Sequence, residues 1–226
     1  MTHIPRGVGS PKPKRACRDV FHAKLAKGVR YAEYDMPVLQ PVYEIPKALV
    51  LFSEAMGKNC RQFDAWVCFF EHDVKFERLW NCPERYLDRL GQFTGVVMPD
   101  FSLYRDLPYP ERVHNVYRNK MLAAWLQSQG MPVIPNARLC GLESVGYALA
   151  GLPHGGTIAI GTHGCLKGRF DRMHFVEEVE AVVDILGPSA IVAYGSDAYG
   201  AFDYPRTQGI QVSVFPSKTA VALGRR

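Results

Sequence analysis

The sequence predicts an α/β fold in which short parallel strands alternate with helices. Short, mostly apolar runs recur from residue 48 onward, and such runs are typical of strands buried on both faces of a sheet. Stretches with helical spacing separate these runs, and strands that alternate with helices favour right-handed βαβ units. No GxGxxG turn follows the first apolar run, which argues against a dinucleotide-binding form.

The apolar runs define the predicted strands. In chain order they lie at 48–52, 66–70, 95–98, 132–134, 157–160, 190–193 and 212–215. Repeated βα units of this kind form a parallel sheet, but they leave its closure open. We expect a small, irregular (βα) barrel-like fold, because polar residues follow so many of the strands. An open doubly wound sheet is the alternative.

Two long helices are predicted between these strands. One covers 111–129, because Pro110 and Glu111 suit a first turn, and Gly130 followed by Pro132 stops the helix. The other is capped by Asp171 and stopped by the Gly-Pro pair at 187–188. Its predicted inward side chains are Phe175, Val176, Val179, Val182, Val183 and Leu186. Shorter helical segments are expected at 85–90 and, capped by Ser144, at 144–149.

Composition and proline content suggest four segments. Residues 1–18 carry glycine and proline among basic residues, so we expect a basic, disordered arm. Prolines also break up 19–46, which we interpret as a segment wrapping the body. A single α/β domain is expected over 47–217, followed by a basic tail at 218–226.

The net charge of +5 is unevenly distributed along the chain. Residues 1–30 carry eight Lys/Arg and one acid, and the last nine residues carry three Lys/Arg and no acid. Basic arms attract nucleic acid by neutralising phosphates. The predicted contacts in the arm are Lys12, Lys14, Arg15 and Arg18. The alternative is that both ends only improve solubility.

The composition is that of a globular protein without a membrane-spanning segment. Apolar residues make up 47% and charged residues 22% of the chain, and no run reaches the roughly 20 apolar residues of a span. The N-terminus has no apolar signal segment, so we expect a cytoplasmic protein. The six cysteines form no CxxC pair and are expected to be free thiols.

The polar residues that follow the predicted strands are the candidates for a functional site. The carboxyl ends of parallel strands meet at one edge of the sheet, which we call the C-terminal rim, and ligands bind there in α/β folds. Asp100 directly follows the third strand and Glu71 the second. We expect both carboxylates to serve catalysis, with capping or ion pairing as the structural alternative.

The fourth strand is followed by Asn136 and Arg138, which share strand parity and therefore point to one face. A buried arginine needs an anionic partner, and Asp100 or Glu71 can supply it. This predicts either a structural ion pair or a pocket for carboxylate or phosphate.

The loop at 161–169 has the residues of an anion-binding loop. Three glycines free backbone N–H groups, while Lys167 and Arg169 can neutralise an anion. Thr162 is a predicted ligand contact, and His163 a predicted proton donor or polarising group. Tyr194, after the sixth strand, is expected to contact a base or sugar. An exposed loop without a ligand is the alternative.

No metal site is predicted. Glu71, Asp73, Asp100 and His163 carry suitable ligand atoms, but the HxH pair of metal-dependent barrel hydrolases is missing. The sequence does not identify a cofactor, and it leaves the oligomeric state open.

Four motifs together resemble a family of bacterial and phage proteins. They are PDFS at 99–102, NVYRN at 115–119, GMPVIPN at 130–136 and GTHG at 161–164. The family is the uncharacterised domain of unknown function 4417, and the resemblance covers residues 48–217. It departs from the family pattern at Leu139, where the family tends to have Trp. The resemblance implies a phage or mobile-element setting and supplies no activity.

Together these features predict a phosphate-bearing ligand, either a nucleotide or nucleic acid, at the C-terminal rim, with hydrolysis as a further option. In a phage setting the protein would work in the host cytoplasm. The alternative is a non-enzymatic phage accessory protein that binds DNA or a partner protein through its basic ends.

Overall fold

The computed structural model describes residues 19–162, 164–222 and 224. All seven predicted strands are present, with ends shifted by one or two residues. They are β1 (Leu49–Leu51), β2 (Trp66–Cys68), β3 (Gly95–Val97), β4 (Val133–Ile134), β5 (Thr157–Gly161), β6 (Ala190–Tyr194) and β7 (Gln211–Phe215). Every ladder between them is parallel, which confirms the α/β class.

Helices lie between and after the strands. They are α1 (Phe52–Ala55), α2 (Glu77–Asn81), α3 (Leu87–Leu90), α4 (Tyr109–Ser128), α5 (Val145–Leu149), α6 (Arg169–Leu186), α7 (Asp203–Thr207) and α8 (Lys218–Ala222). The two longest, α4 and α6, are the two helices that the sequence predicts most clearly. None of the helices in the described ranges is long and apolar enough to cross a membrane.

Two sheets form one consecutive row of strands. The first has the order β1-β2-β3-β4 and the second β5-β6-β7. An isolated parallel bridge between Asn136 and Ala159 joins them, with Ala137 N donating to Ala159 O at 2.9 Å and Ala159 N to Pro135 O at 2.7 Å. A doubly wound sheet needs the strand order to reverse, and neither sheet reverses.

The row curls around an interior without closing by strand pairing. Alternate strand side chains form a separate buried cluster: Leu51, Trp66, Cys68, Phe70, Val97, Ile134, Ala159, Val192 and Tyr194, with Phe215 packed against it. The intervening residues face the helices. Among the described strands no ladder joins β7 to β1, so the strands do not form a closed barrel. An ion pair between Lys218 and Glu54 joins the segments after these two strands.

Residues 19–46 lie against this body without forming a strand or α-helix of their own. Leu25, Met36, Leu39 and Val42 are buried. Val42 O accepts a hydrogen bond of 2.6 Å from Thr157 N at the start of β5. The arm predicted at 1–18 lies outside the described residues, and the domain limits given above stay predictions.

One predicted helix cap is misplaced, and another has the predicted position without the expected hydrogen bond. Helix α6 begins at Arg169, so Asp171 lies inside its first turn, where its carboxylate accepts a 3.0 Å hydrogen bond from Gly168 N. Ser144 occupies the N-cap position of α5, as predicted, but its side chain makes no capping hydrogen bond. Its hydroxyl instead stabilises the preceding turn by accepting from Cys140 N at 3.0 Å and donating to Gly141 O at 2.6 Å. The cysteines at 60, 68, 82, 140 and 165 are free thiols, as predicted.

Candidate functional site

The ends of β3 and β4 bring three predicted site residues together. Asp100 Oδ1 accepts a 2.8 Å hydrogen bond from Asn136 Nδ2, and Asp100 Oδ2 accepts one of 3.3 Å from Arg138 Nη1. The side chains of Asp100 and Arg138 are 10% and 21% exposed, respectively. Three residues that are far apart in the sequence are therefore joined by direct polar contacts at adjacent strand ends.

Burial and charge act in opposite directions on this ion pair. Burial raises the pKa of the Asp100 carboxyl, although the Arg138 charge and the Asn136 hydrogen bond partly offset the effect. The Asp100 charge, in turn, raises the pKa of Arg138, which stays cationic. A buried pair of this kind is costly to break, because the remaining charge loses its partner.

The hydrogen-bonding capacity of these side chains is only partly used. Arg138 Nε is buried and has no hydrogen-bond partner, and the same holds for Asn136 Oδ1. A guanidinium has five N–H donors, and one donates to Asp100. Buried polar atoms without partners are rare in folded proteins and point to a ligand or to ordered water.

A shallow, solvent-open cleft with enclosed room for about one water molecule lies beside Arg138. Its walls are formed by the strand ends and by α6, and they comprise Ala137, Arg138, Leu139, Ile160, Gly161, Cys165, Phe175, Glu178, Val179 and Val182. Gly161 lines the cleft and packs closely on Phe70, since a Cβ there would lie 2.7 Å from the Phe70 ring and in ordinary contact, 3.7 Å, with Arg138 Nη1.

Glu178 is a cleft residue that the sequence analysis missed. Its Oε1 accepts hydrogen bonds from Gly141 N at 2.7 Å and Arg105 Nη2 at 3.0 Å. Because these donors occupy the same oxygen, they hold the Glu178 carboxylate against the loop rather than against Arg138. The sequence did contain a signal for Glu178, because it lies three residues after Phe175 and four before Val182, on the apolar face of α6.

The predicted anion-binding loop is only partly within the described chain. Lys167 and Arg169 are exposed and form no ion pair with any described residue. Thr162 is buried, and its hydroxyl accepts a 2.7 Å hydrogen bond from Ser196 N, which leaves it little capacity for a ligand. His163 lies outside the described residues, as do Lys12, Lys14, Arg15 and Arg18.

Glu71 lies at the rim but away from the Asp100 ion pair. Its two carboxylate oxygens accept from Ser53 N at 2.8 Å and Ser53 Oγ at 2.6 Å, and Lys75 Nζ lies 3.3 Å away. No hydrogen bond in the described part of the chain joins Glu71 to Asp100, Asn136 or Arg138. This geometry fits the structural alternative, in which Glu71 fixes the first turn after β1.

Tyr194 fills the interior at the rim. Its ring stacks on Phe70 with centroids 5.0 Å apart, and its hydroxyl accepts a 3.2 Å hydrogen bond from Lys218 N. Burial raises the pKa of Tyr194 to about 12. The ring is 6% exposed, so little of it is available for contact with a base or sugar.

Helix α4 contributes polar groups that contact the loop after β3. Asn119 is buried and binds both backbone groups of Phe101, accepting from N at 2.8 Å and donating to O at 3.3 Å. Asn115 Nδ2 donates to Ser102 O at 2.8 Å. These contacts dock the loop that follows Asp100 and so fix its position.

Lys120 is a further buried residue missed by the sequence analysis. Its Nζ donates to Tyr147 O at 3.1 Å and to Ala150 O at 2.6 Å, and it is fully buried. Burial lowers the pKa of Lys120 to about 7. Lys120 lies three or four residues from Val116, Tyr117 and Ala124, so its position on the apolar stripe was the available signal.

Fold and site together define a parallel α/β protein with a buried arginine–carboxylate pair beside a rim cleft. No group of three or more His, Cys, Asp or Glu side chains suited to a metal ion occurs in the described ranges. The chain belongs to the family described as domain of unknown function (DUF4417), whose model matches residues 30–211.

Two phage proteins are similar to this chain. The Gene 1 protein of Mycobacterium phage D29 is 32% identical over 167 residues, and that of Mycobacterium phage L5 is 31% identical over 163 residues. The matches cover 74% and 72% of this chain, and 62% and 71% of the relatives. The match therefore spans about three fifths of the D29 protein. No solved structure matches the chain significantly.

Proposed function

We propose that this phage-related protein binds a phosphate-bearing ligand, either a nucleotide or nucleic acid, in the cleft beside Arg138. One observation carries the proposal: Arg138 is a mostly buried cation that lines the cleft and has a buried Nε without a partner. Guanidinium groups bind phosphate through paired N–H donors, and burial strengthens such contacts.

The Asp100–Arg138 pair supports this proposal because Asp100 uses only one of the guanidinium donors, through a long hydrogen bond. Its single hydrogen bond is 3.3 Å long, whereas a well-formed arginine–carboxylate contact is about 2.8 Å and uses two donors. Phosphate oxygens in the cleft would therefore complete the coordination of Arg138. Asn136 keeps Asp100 in place through the other carboxylate oxygen.

Lys167 and Arg169 would supply attraction at longer range. Both are exposed and lie on the segment between Gly161, which lines the cleft, and the first turn of α6. Without carboxylate partners among the described residues, they add positive charge to this side of the rim. We expect their contribution to weaken as salt rises, since exposed charges are screened over about 10 Å at 0.1 M salt.

Isothermal titration with inorganic pyrophosphate tests the proposal. Asp100→Asn removes the competing charge and is expected to strengthen binding severalfold, whereas Asp100→Asn/Arg138→Gln replaces the pair by two amides and is expected to abolish it. Lys47→Ala is the control, because Lys47 is exposed and precedes β1 at the opposite edge. Equal affinities for wild type and the double variant would refute the proposal.

The proposal extends to hydrolysis of the bound phosphate-bearing ligand. Of the predicted catalytic residues, Asp100 is the best suited to this step. A carboxyl whose pKa is raised by burial is suited to donate or accept a proton. Glu71 has its oxygens engaged by Ser53, and we do not extend the proposal to it. Phosphate release from a nucleoside triphosphate should be lost in Asp100→Asn while pyrophosphate binding persists. Unchanged release would exclude this role for Asp100.

An accessory role through the basic ends is the second candidate function. Its support is the balance of eight Lys/Arg against one acid in residues 1–30. Deletion of residues 1–18 should then weaken salt-dependent DNA binding without changing pyrophosphate binding. Unchanged DNA binding in this variant would exclude residues 1–18 as the DNA-binding segment. For either function, we propose the host cytoplasm as the site of action.

A further inference from the structure

A second feature near the cleft is a set of aromatic and basic side chains at the start of α6 and in the turn after β6. We call it the α6 surface and define it by Lys167, Arg169, Phe170, Arg172 and Tyr199. Phe170 is 74% exposed and Tyr199 is 64% exposed. Phe170 and Arg172 are two residues apart on α6 and do not face each other, so Phe170 and the Arg172–Tyr199 pair lie on different sides of the start of this helix.

Backbone and side-chain contacts fix Tyr199 in its exposed position. Its φ of 64° is in the left-handed region, which is unusual for a residue with a bulky side chain. The Arg172 guanidinium lies over its ring, 3.6 Å from the centroid. Arg172 also donates to Leu166 O at 2.9 Å and Lys167 O at 3.3 Å, so one side chain joins the loop before α6 to the turn that carries Tyr199.

The charge of the α6 surface is positive. Lys167, Arg169 and Arg172 form no ion pair within the part of the chain that the structure describes. The nearby carboxylates have other partners. Asp171 accepts from Gly168 N, Asp197 pairs with Arg206, and Glu178 pairs with Arg105. Lys167 and Arg169 are therefore available to phosphate groups, whereas the Arg172 guanidinium is engaged by Leu166 O, Lys167 O and the Tyr199 ring.

We propose that the α6 surface binds single-stranded nucleic acid, with bases stacking on Phe170 and Tyr199 and phosphates held by Lys167 and Arg169. This inference rests on the proposed function, since it names the ligand class whose phosphates reach the same rim. Exposed aromatic rings among cations match a single strand, because its bases are free to stack. In a duplex the base faces are covered by their neighbours.

The experiment compares binding of three probes of about ten nucleotides, a length typical of such sites. The probes are an oligothymidylate, an abasic strand with the same phosphates, and a duplex. Wild type is expected to bind the oligothymidylate more tightly than the other two. Phe170→Ala should weaken that binding about tenfold and leave the abasic strand unaffected. Tyr43→Ala is the control, because Tyr43 is equally exposed and lies before β1.

A tryptophan at position 170 provides a direct readout of stacking. The native tryptophans Trp66, Trp80 and Trp125 are buried, so Phe170→Trp adds an exposed fluorophore. Its emission should be quenched by oligothymidylate and not by the abasic strand. Parallel titrations with oligouridylate extend the measurement to RNA.

The outcomes separate this inference from the proposed function. Equal affinity for the thymidylate and abasic strands, or no effect of Phe170→Ala, overturns base stacking even where pyrophosphate still binds in the cleft. Preference for the duplex overturns it as well. Loss of pyrophosphate binding in Asp100→Asn/Arg138→Gln, together with unchanged thymidylate binding, would show that the α6 surface binds the strand independently of the cleft and would overturn the link between the two sites.

Discussion

Arg138 Nη1 lies 3.3 Å from Asp100 Oδ2, so a cation after β4 is held by a carboxylate after β3. The contact crosses two adjacent strand ends and lies next to the mouth of a cleft. Its geometry leaves the arginine incompletely coordinated, because Nε is buried without a partner. The ion pair therefore affects both the free energy of unfolding and the ability of Arg138 to bind an anion, and these two effects can be measured separately.

The structural part of the pair predicts unequal effects of single substitutions. Arg138→Gln leaves the Asp100 charge buried without its cationic partner and should lower the free energy of unfolding by about 3–5 kcal/mol at neutral pH. Asp100→Asn/Arg138→Gln should recover much of that loss, since no charge remains. Urea denaturation of the two single variants and the double variant measures the coupling. Additive effects would mean that the two side chains do not interact.

The raised pKa of Asp100 predicts proton uptake when an anion binds. A phosphate group near the carboxyl disfavours its charged form and raises its pKa further, so the complex holds more protons than the free protein. Affinity should therefore increase as the pH falls. Titration calorimetry in buffers of different ionisation enthalpy measures the uptake.

Asp100→Asn is the control for the protonation of pyrophosphate itself. The difference in proton uptake between wild type and this variant belongs to Asp100. Identical uptake in the two proteins would show that Asp100 does not titrate with binding.

The buried Lys120 predicts a pH dependence of stability. Its pKa in the folded protein is about 7, below the ordinary value of 10.5, so between these values the unfolded chain binds more protons than the folded one. Stability should then rise with pH above 7, by up to about 1.4 kcal/mol per pH unit from this residue. Denaturant unfolding from pH 7 to 9 measures the slope.

Lys120→Met separates this titration from other groups. The variant also loses the hydrogen bonds to Tyr147 O and Ala150 O, so slopes rather than absolute stabilities are compared. A smaller slope than that of wild type is expected. The same slope in both proteins would mean that Lys120 stays protonated in the folded state.

Glu71 predicts a loss of stability without a loss of binding. Glu71→Ala removes both hydrogen bonds to Ser53 and should cost about 1–3 kcal/mol of unfolding free energy. Ser53→Ala removes only the hydroxyl contact and should cost less. Pyrophosphate affinity should be unchanged in both. A folded Glu71→Ala protein that no longer binds pyrophosphate would restore Glu71 to the site.

The positions of the strands and long helices could be predicted from the sequence because each has a strong local pattern of apolar residues. The apolar runs fix the strands, and the spacing of Phe175, Val179 and Val183 fixes α6. Helix starts were less secure, because Asp171 accepts from Gly168 N three residues earlier, and a carboxylate in the first turn resembles a cap in sequence. Closure between β7 and β1 depends on contacts between distant residues, and no local pattern encodes it.

The candidate site was partly readable for the same reason. Asp100, Asn136 and Arg138 follow neighbouring strands, so their meeting follows from topology and parity. Glu71 follows a strand too, but its carboxylate contacts Ser53, a residue in the first turn after the adjacent strand β1, and strand order alone does not select between two such partners. Lys120 was missed because a lysine on an apolar stripe is normally assigned to the surface.

The Nε–H signal of Arg138 reports whether phosphate binds this guanidinium. In the free protein this donor is buried without a partner, and a bound phosphate oxygen would become its acceptor. Nitrogen-15 NMR of the arginine side chains, with Arg138→Lys used for assignment, follows it during titration with pyrophosphate. A saturable shift of the Arg138 Nε–H signal, with its midpoint at the calorimetric Kd, is the predicted result. Saturation of pyrophosphate binding with the Arg138 signal unmoved would contradict the account.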